Sequence, residues 1–213
     1  MRALTAQAIE KYGISTDIMV ENGGLQLARL LTEKASREAV IVFGIGPGEN
    51  GSCGLVAARR LAAWGYQVLL DVSDPFLSKL TQLQLKRALA SGAQKMTSSK
   101  SPDIFVDAWL GLDQSLPLAK IYTTPITYYN QSPCIKIALD VPTGLTENED
   151  MRTPYLQADI VCTLGIPKKV LFNPLLTAQV FVADIGIPNA AYQDLDIFFD
   201  VPFEKQGFVQ LFL

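Results

Sequence analysis

The residues best suited to chemistry lie in a glycine-rich stretch, residues 44–54, which reads GIGPGENGSCG. The stretch follows the apolar run 39–43 and leads into residues 55–63, whose composition is helical. A strand, a glycine-rich turn and a helix place backbone N–H groups at the start of the helix, where an anion can bind. Glycine can also adopt positive φ, and it lets the backbone approach a phosphate closely. The stretch therefore predicts nucleotide or phosphate binding; the alternative is a turn that only packs a strand against a helix.

Two aspartates are predicted at the same edge of the sheet as this turn. Asp107 follows the apolar run 104–106, and Asp140 follows the run 135–139, with Thr143 close behind it. Ligands of parallel α/β sheets bind beyond the carboxyl ends of the strands. A single aspartate there is more often a helix cap or a turn former. Two aspartates beside a glycine-rich turn indicate a site.

The chain contains no histidine, so the side chain most often used for proton transfer at neutral pH is absent. A carboxylate becomes the first candidate, ahead of lysine, cysteine, tyrosine or water. The pattern Gly46-x-Gly48-x-x-Gly51, with Asp71 about 20 residues further along, also fits a dinucleotide fingerprint. A dehydrogenase is nevertheless the weakest interpretation, because no pattern supplies the groups that hydride transfer usually requires.

Composition limits the class of protein. With 49% hydrophobic and 18% charged residues, we expect residues 1–213 to form one globular domain. The net charge of −3 argues against a nucleic-acid partner, and no apolar run reaches the roughly 20 residues of a membrane span. We find no signal-peptide pattern at the N-terminus. The cysteines are odd in number and unevenly spread, which fits a reducing cytoplasm better than a disulfide framework.

Strands and helices alternate along the chain. Helices are expected at 4–12, 15–35, 55–63, 75–91 and 116–129, the last bent or broken at Pro125, and strands at 39–43, 66–71, 93–96, 104–106, 135–139, 160–164 and 179–182. Few strands alternate polar and apolar residues, so both faces of the sheet should be covered. The pattern predicts a three-layer, doubly wound α/β fold with a mostly parallel sheet.

Three segments carry further expectations. The leucines of helix 75–91 should face the core. Residues 21–24 are polar and small, and we interpret them as a place of close helix packing or a dimer contact rather than a ligand-binding face. The aromatic tail 189–213 should pack on the body, since its rings would otherwise form an unusual exposed surface.

Several ordered motifs together resemble the YjeF N-terminal family, the NAD(P)HX epimerases. The similar segments are GPGENGSCG at 46–54 with LVAAR at 55–59 (family GxGNNGGDGxxxAR), DAWLG at 107–111, DVPTG at 140–144 (family D-[IV]-P-[ST]-G), MVEN at 19–22, TLGIPK at 163–168 and VADIGIP at 182–188. The resemblance covers about residues 1–188. Together, these motifs in the same order are far more specific than any one of them.

The resemblance implies a Rossmann-like fold, usually dimeric, and an isomerase that interconverts the R and S forms of hydrated NADH and NADPH. A separate dehydratase, which repairs only one epimer, is the implied functional partner. The resemblance also implies a potassium ion held by Asn50, Asp107 and Thr143, whose oxygens suit a hard cation. Asp140 corresponds to the family's substrate-contacting aspartate and is the expected acid–base residue.

The implied substrate-binding residues form two loops and the aspartate. They are Glu49, Asn50, Gly51, Ser52, Cys53, Gly111, Leu112, Asp113, Gln114, Ser115, Leu116, Pro117 and Asp140. Both loops depart from the family pattern. Its NNGGD is ENGSC here, and the loop 112–116 lacks the glycines of the family's T-G-L-x-G.

These departures leave two classes of function open. Glu49 places negative charge near a phosphate-binding turn, and Ser52 is tolerable only if its φ is negative. Cys53 at a helix start could be a reactive thiol, although a small buried residue is the interpretation we prefer. The chain is either a working epimerase or a degenerate member that acts as a nucleotide-binding or scaffolding module.

Overall fold

The computed structural model describes residues 1–97, 101–112, 114–147, 154–198 and 203–212. Its helices are α1 (Arg2–Glu10), α2 (Thr16–Lys34), α3 (Glu49–Ala63), α4 (Lys79–Ala90), α5 (Lys120–Gln131) and α6 (Asn189–Gln193), with a short 3-10 helix at Lys169–Phe172. Its strands are β1 (Val40–Ile45), β2 (Gln67–Asp71), β3 (Gln94–Lys95), β4 (Ile104–Ala108), β5 (Ile135–Leu139), β6 (Ile160–Leu164), β7 (Gln179–Ala183) and β8 (Phe208–Leu211). Each of the seven predicted strands is confirmed, and β8 is additional.

These strands form one sheet in the order β3-β2-β1-β4-β5-β6-β7-β8. Neighbouring strands from β3 to β7 pair in parallel, and β8 pairs antiparallel with β7. The predicted mostly parallel α/β fold is therefore confirmed. The chain adds strands to one side of β1 first and to the other side from β4 onward. At such a reversal two loops leave the sheet in opposite directions and open a crevice for a ligand.

Helices cover both faces of the sheet. Neighbouring residues of a strand point to opposite faces, so one strand contributes to the core on each side. On β1, Ile41 and Phe43 belong to the core that includes residues of α2, α3 and α4. Val42 belongs instead to the core under α5. In that second core Phe105 stacks on Tyr129, with ring centroids 3.5 Å apart. The fold thus has the three layers that the sequence predicts.

The glycine-rich turn is shorter than predicted, because α3 begins at Glu49 rather than at residue 55. The expectation of positive φ is wrong, since none of the glycines of residues 44–54 has a positive φ. Close approach is what requires them. A Cβ on Gly46 would lie 1.7 Å from the carbonyl oxygen of Trp109, and a Cβ on Gly51 would lie 2.0 Å from that of Gly46.

Residues 21–24 lie at a close contact between helices, which is one of the two interpretations that the sequence favours, the other being a dimer contact. Helix α2 runs through them without a break. A Cβ on Gly24 would lie 2.5 Å from the Cβ of Val56 on α3, so only glycine allows the two helices to come this close.

The leucine core predicted for helix 75–91 is confirmed only in part: Leu80, Leu85 and Leu89 are half-buried and pack against the core, but none of the leucines is fully buried. Helix α4 begins at Lys79, its buried side chains are Thr81, Gln84 and Ala88, and Leu83 is 44% exposed. The physical reason is that α4 packs against the polar start of α3, where the hydroxyl of Thr81 donates to the carbonyl oxygens of the preceding turn. Helix α5 also begins later than predicted, at Lys120, and contains Pro125 within its length.

The C-terminal tail packs on the body only in part. Tyr192 and Phe208 are buried, whereas Phe198 and Phe212 are 85% and 92% exposed; Phe199 lies outside the described residues. The two buried rings belong to α6 and β8, and Phe203, in the turn before β8, is half-buried. In the part of the chain that is described, no helix is both long and apolar enough to cross a membrane.

Three helices are joined by a polar cluster around Glu21 of α2. The guanidinium of Arg59 donates to both carboxylate oxygens of Glu21, at 2.9 and 2.6 Å. Arg60 donates at 3.1 Å, and the amide of Gln84 on α4 donates at 3.4 Å. Hydrogen bonds between a guanidinium and a carboxylate are charge-assisted and stronger than neutral ones, so this cluster fixes α2, α3 and α4 relative to one another.

We expect Glu21→Gln to lower the free energy of unfolding by about 1–2 kcal/mol, because the charged acceptor of several hydrogen bonds is lost. Urea denaturation monitored by circular dichroism measures it. Glu10→Gln, at an exposed position on α1, is the matched control and should change stability by less than about 0.5 kcal/mol. Equal effects of the two substitutions would show that the cluster does not join the helices.

Candidate functional site

A cavity of about 660 Å³ opens at the carboxyl edge of the sheet, beside the reversal between β1 and β4. It is lined by the start of α3 (Pro47, Gly48, Glu49, Asn50, Cys53), the loop after β4 (Trp109, Leu110, Gly111, Leu112), Asp140, Leu164, Lys168 and Ile185, and residues of α1 and α2 (Met1, Arg2, Thr5, Ala6, Ile9, Thr16, Met19, Val20). Its volume is that of a small-molecule or cofactor site.

Asp107 lies at the end of β4 with no exposed surface. Its carboxylate accepts hydrogen bonds from the backbone N–H of Thr143 at 2.7 Å, the hydroxyl of Thr143 at 2.7 Å and the backbone N–H of Trp109 at 3.1 Å. Burial raises the pKa of Asp107 to about 6, and these hydrogen bonds offset only part of that effect. The structure therefore brings two members of the predicted ion set into direct contact.

Asn50, the third member of that set, lies against Gly111. A Cβ on Gly111, whose φ is +64°, would be 3.0 Å from the Cγ of Asn50. The side-chain Nδ2 of Asn50 is buried without a hydrogen-bond partner, which is costly for an amide. Rotating this amide by 180° would present its oxygen at the same place, which is the orientation a cation requires.

The donor set suits a hard monovalent cation. It offers a carboxylate, a hydroxyl and an amide oxygen, with no nitrogen or sulfur ligand. Asp107 is a buried carboxylate that no lysine or arginine of the described ranges pairs with, so a cation would supply the missing positive charge. The described residues include no group of three or more histidine, cysteine or carboxylate side chains of the kind that binds other metals.

Asp140 lies at the end of β5 with φ +67°, an unusual value for a residue other than glycine. Aspartate tolerates this left-handed conformation better than most residues. The carboxylate accepts hydrogen bonds from the Thr163 hydroxyl at 3.3 Å and the Leu164 N–H at 3.2 Å. Backbone strain of this kind is concentrated at functional sites, and Asp140 lines the cavity as predicted.

Sequence reasoning gave no role to Lys168, which forms an ion pair with Asp140. Lys168 is only 5% exposed, and its ammonium also donates to the hydroxyl of Thr163 at 3.1 Å. The signal was present in the segment TLGIPK, where a lysine directly follows a buried strand and a turn. Lysine is almost never buried unless it is paired, so the pair identifies Lys168 as part of the site.

Two of the five predicted residues of the 49–53 loop do not line the cavity, namely Gly51 and Ser52. Ser52 has no exposed surface and lies in α3, where φ is negative, so its side chain costs no strain. Its hydroxyl accepts from or donates to that of Thr81 at 2.8 Å and donates to the carbonyl of Gly48 at 3.1 Å. This departure from the family pattern is therefore a contact between α3 and α4.

The other residues of this loop, Glu49, Asn50 and Cys53, line the cavity. Burial raises the pKa of the Cys53 thiol well above its ordinary value, and nearby Cys162, Asp140 and Glu21 add to the effect. The thiol is therefore protonated at neutral pH, which excludes the reactive-thiolate interpretation and favours the small buried residue.

The loop 111–117 divides in the same way. Gly111 and Leu112 line the cavity, whereas Gln114, Ser115, Leu116 and Pro117 do not; Asp113 lies outside the described residues. Gln114 instead holds the loop after β5. Its side-chain oxygen accepts from the N–H of Gly144 at 2.6 Å, and its amide donates to the carbonyl of Leu145 at 2.8 Å.

Asp71, the candidate ribose ligand of the dehydrogenase interpretation, does not line the cavity. Its carboxylate accepts a hydrogen bond from the hydroxyl of Ser73 at 2.5 Å. The geometry therefore gives no support to a dinucleotide fingerprint of the dehydrogenase type.

Helix α1 forms one wall of the cavity and is held there by Asp194, which follows α6. The carboxylate of Asp194 accepts hydrogen bonds from Lys11 at 2.5 Å, Tyr12 at 2.7 Å and Gln7 at 2.9 Å. These donors, Lys11 first, lower the pKa of Asp194 to about 2. The anchor is thus ionised throughout the neutral range.

Fold and site together define a parallel α/β protein with a ligand cavity at the carboxyl edge of its sheet. A family model described as "YjeF-related protein N-terminus" matches residues 16–170, and the chain belongs to this family. The resemblance found in the motifs is thereby confirmed.

Curated relatives and a solved structure agree with this assignment. The chain is 30% identical to the NAD(P)H-hydrate epimerases of Nitrosopumilus maritimus (86% of this chain, 91% of the relative) and Elusimicrobium minutum (89% and 94%). It is 29% identical to the bifunctional NAD(P)H-hydrate repair enzyme Nnr of Thermofilum pendens, covering 91% of this chain but only 40% of that protein. The crystal structure of yeast ynu0, YNL200c, superimposes with a TM-score of 0.79 at 17% identity, covering 98% of this chain and 96% of the yeast chain. That structure shows the same fold.

We expect Gln114→Ala to lower the free energy of unfolding by about 1–3 kcal/mol, because the N–H of Gly144 and the carbonyl of Leu145 lose their partner. Gln114→Glu, which keeps an acceptor for Gly144 but cannot donate to Leu145, should fall between wild type and alanine. Urea denaturation gives the energies, and amide hydrogen exchange at Gly144 locates the change. An unchanged exchange rate in Gln114→Ala would contradict this role.

Proposed function

We propose that this chain is an NAD(P)H-hydrate epimerase, an isomerase that interconverts the R and S forms of hydrated NADH and NADPH. One observation carries the proposal: a cavity of cofactor size contains the buried, paired carboxylate Asp140 at a strand end. The names of relatives that match over nearly their whole length support the substrate class.

The chemistry asks for a proton acceptor at the hydrated carbon. Water adds to the reduced nicotinamide ring at the carbon beside the ring nitrogen, so that carbon carries a hydroxyl group. When Asp140 takes the hydroxyl proton, the electron pair of the O–H bond forms a carbonyl. The bond between that carbon and the ring nitrogen breaks, and its electron pair stays on the nitrogen. Closure on the other face reverses these changes and returns the proton. Since the chain lacks histidine, a carboxylate is the natural base.

The start of α3 is the proposed diphosphate site. Gly48 and Asn50 line the cavity there, and the first N–H groups of a helix attract anions. The indole of Trp109 and the apolar residues of α1 and α2 supply the nonpolar part of the cavity.

Potassium is the proposed ion, with Asn50, Asp107 and Thr143 as its ligands. Bound there, it would neutralise the buried carboxylate of Asp107 and hold the loops after β4 and β5 together. The unpartnered amide of Asn50 and the raised pKa of Asp107 support this site.

The competing function is a non-catalytic nucleotide-binding or scaffolding module. Glu49 favours it, because this exposed carboxylate lies at the start of α3, where phosphates would bind. Ser52 and Cys53 no longer favour it, since one faces α4 and the other is a neutral buried thiol.

The proposal extends to the domain organisation, the oligomeric state, the compartment and the functional partner. We propose one domain over residues 1–213, a homodimer in a reducing cytoplasm, and a dehydratase as the functional partner. The bifunctional relatives, in which this chain covers about two fifths of the length, support the link to a second repair activity.

We expect the purified protein to equilibrate a pure epimer of hydrated NADH faster than the spontaneous reaction. Asp140→Asn should lose at least about 100-fold in kcat, the usual range for a general base. Chromatographic separation of the two epimers over time measures both rates. Asp71→Asn, a strand-end carboxylate outside the cavity, is the matched control and should keep wild-type activity. A wild-type rate equal to the spontaneous one, with dinucleotide binding intact, would favour the non-catalytic module.

A second test addresses the ion. Potassium at ten times its Kd should raise the free energy of unfolding by about 1.4 kcal/mol over tetramethylammonium, which is too large for the site. Asp107→Asn should abolish the difference, and Asp71→Asn should keep it. Thermal denaturation in the two salts measures the effect; an equal response of wild type and Asp107→Asn would place the ion elsewhere.

A further inference from the structure

The hydrogen bonds to Asp140 are one-sided. Its Oδ1 accepts from the hydroxyl of Thr163, from the N–H of Leu164 and from the ammonium of Lys168. No donor of the described residues reaches Oδ2, and this oxygen keeps some accessible surface. Since Asp140 lines the cavity, Oδ2 is the oxygen that a ligand can meet.

Lys168 is in turn held by its own acceptors. Besides Asp140, its ammonium donates to the hydroxyl of Thr163 and to the carbonyl of Leu164. These are as many acceptors as an ammonium has N–H groups, so the side chain is fixed and its charge is directed at one carboxylate oxygen. Thr163 has no exposed surface, which prevents water from replacing its hydroxyl.

We propose that Lys168 and Thr163 are positioning residues, which hold the carboxylate of Asp140 with Oδ2 directed at the substrate. The inference rests on the proposed epimerase function. It assigns the two oxygens different roles: Oδ1 is the anchor, and Oδ2 accepts the hydroxyl proton and returns it. A buried carboxylate depends on a nearby cation. The amino group of Met1 also interacts with Asp140, but the ion pair with Oδ1 is that of Lys168, so loss of Lys168 removes this paired cation and the orientation of the base.

The test compares Lys168→Met with Lys168→Arg and Thr163→Val. Lys168→Met should lose at least about 100-fold in kcat, while the Kd for the unhydrated dinucleotide NADH, measured by its fluorescence, stays within about threefold, because a base lost from the reacting centre affects turnover rather than binding. Lys168→Arg keeps the charge and should recover at least about tenfold of that loss. Thr163→Val removes one donor to Oδ1 and should lose about tenfold or less.

Two further measurements separate positioning from a purely structural role. Methylammonium added to Lys168→Ala should restore part of kcat, since a small cation can occupy the vacated space, whereas a misfolded site would not respond. Circular dichroism confirms that each variant is folded. An unchanged kcat in Lys168→Met, or a loss in kcat that neither arginine nor methylammonium restores, would overturn the proposal.

Crystal structures of wild type and Lys168→Met keep this inference distinct from the proposed function. In the variant, the Asp140 carboxylate should leave the position in which Oδ1 faces the N–H of Leu164. If wild type fails to epimerise while this displacement occurs, the proposed function fails and the positioning role stands. A carboxylate that keeps its place without Lys168 overturns the positioning role whatever the activity.

Discussion

The structure depends on a backbone contact from which side chains are excluded. The turn after β1 and the end of β4 approach so closely that Gly46 has no room for a Cβ beside the carbonyl of Trp109. The N–H of Gly46 donates to the carbonyl of Ala108 at 3.0 Å, and Gly54 on α3 would have its Cβ 2.3 Å from that of Ala108. This contact brings the start of α3 to the loop after β4. It thereby places Asn50 against Gly111 and closes one side of the cavity.

Two buried carboxylates at this edge are stabilised by different means. Asp140 has a lysine beside it, so its anion is compensated by the protein itself. Among the described residues, Asp107 has only hydroxyl and N–H donors, and burial raises its pKa to about 6. An ion pair within the protein offsets the burial of one carboxylate, whereas the other keeps most of the electrostatic cost of its burial.

The strands and the functional residues at their carboxyl ends could both be predicted from the sequence. An apolar run that ends in aspartate or glycine indicates a buried strand and also the residue that follows it at the edge of the sheet. Asp107, Thr143 and Asp140 could be placed from their position after a strand. The inward faces of α4 and of the loops could not. Whether Ser52 or Gln114 faces the cavity depends on which neighbour offers an acceptor, and those neighbours, Thr81 and the loop at Gly144, are distant in sequence. The ion pair of Lys168 could not be predicted for the same reason, since Lys168 follows β6 and its partner Asp140 follows β5.

The hydroxyl contact between Ser52 and Thr81 has a consequence for how such sequences diverge. The Ser52 side chain occupies space in α3 for which the family pattern has only a hydrogen atom, and its polar group is sealed from water. A valine at the position of Thr81 would remove the side-chain partner of Ser52 and leave its hydroxyl only the carbonyl of Gly48. The two positions are therefore coupled by one buried contact, and among related chains the residue at one position should vary together with the residue at the other.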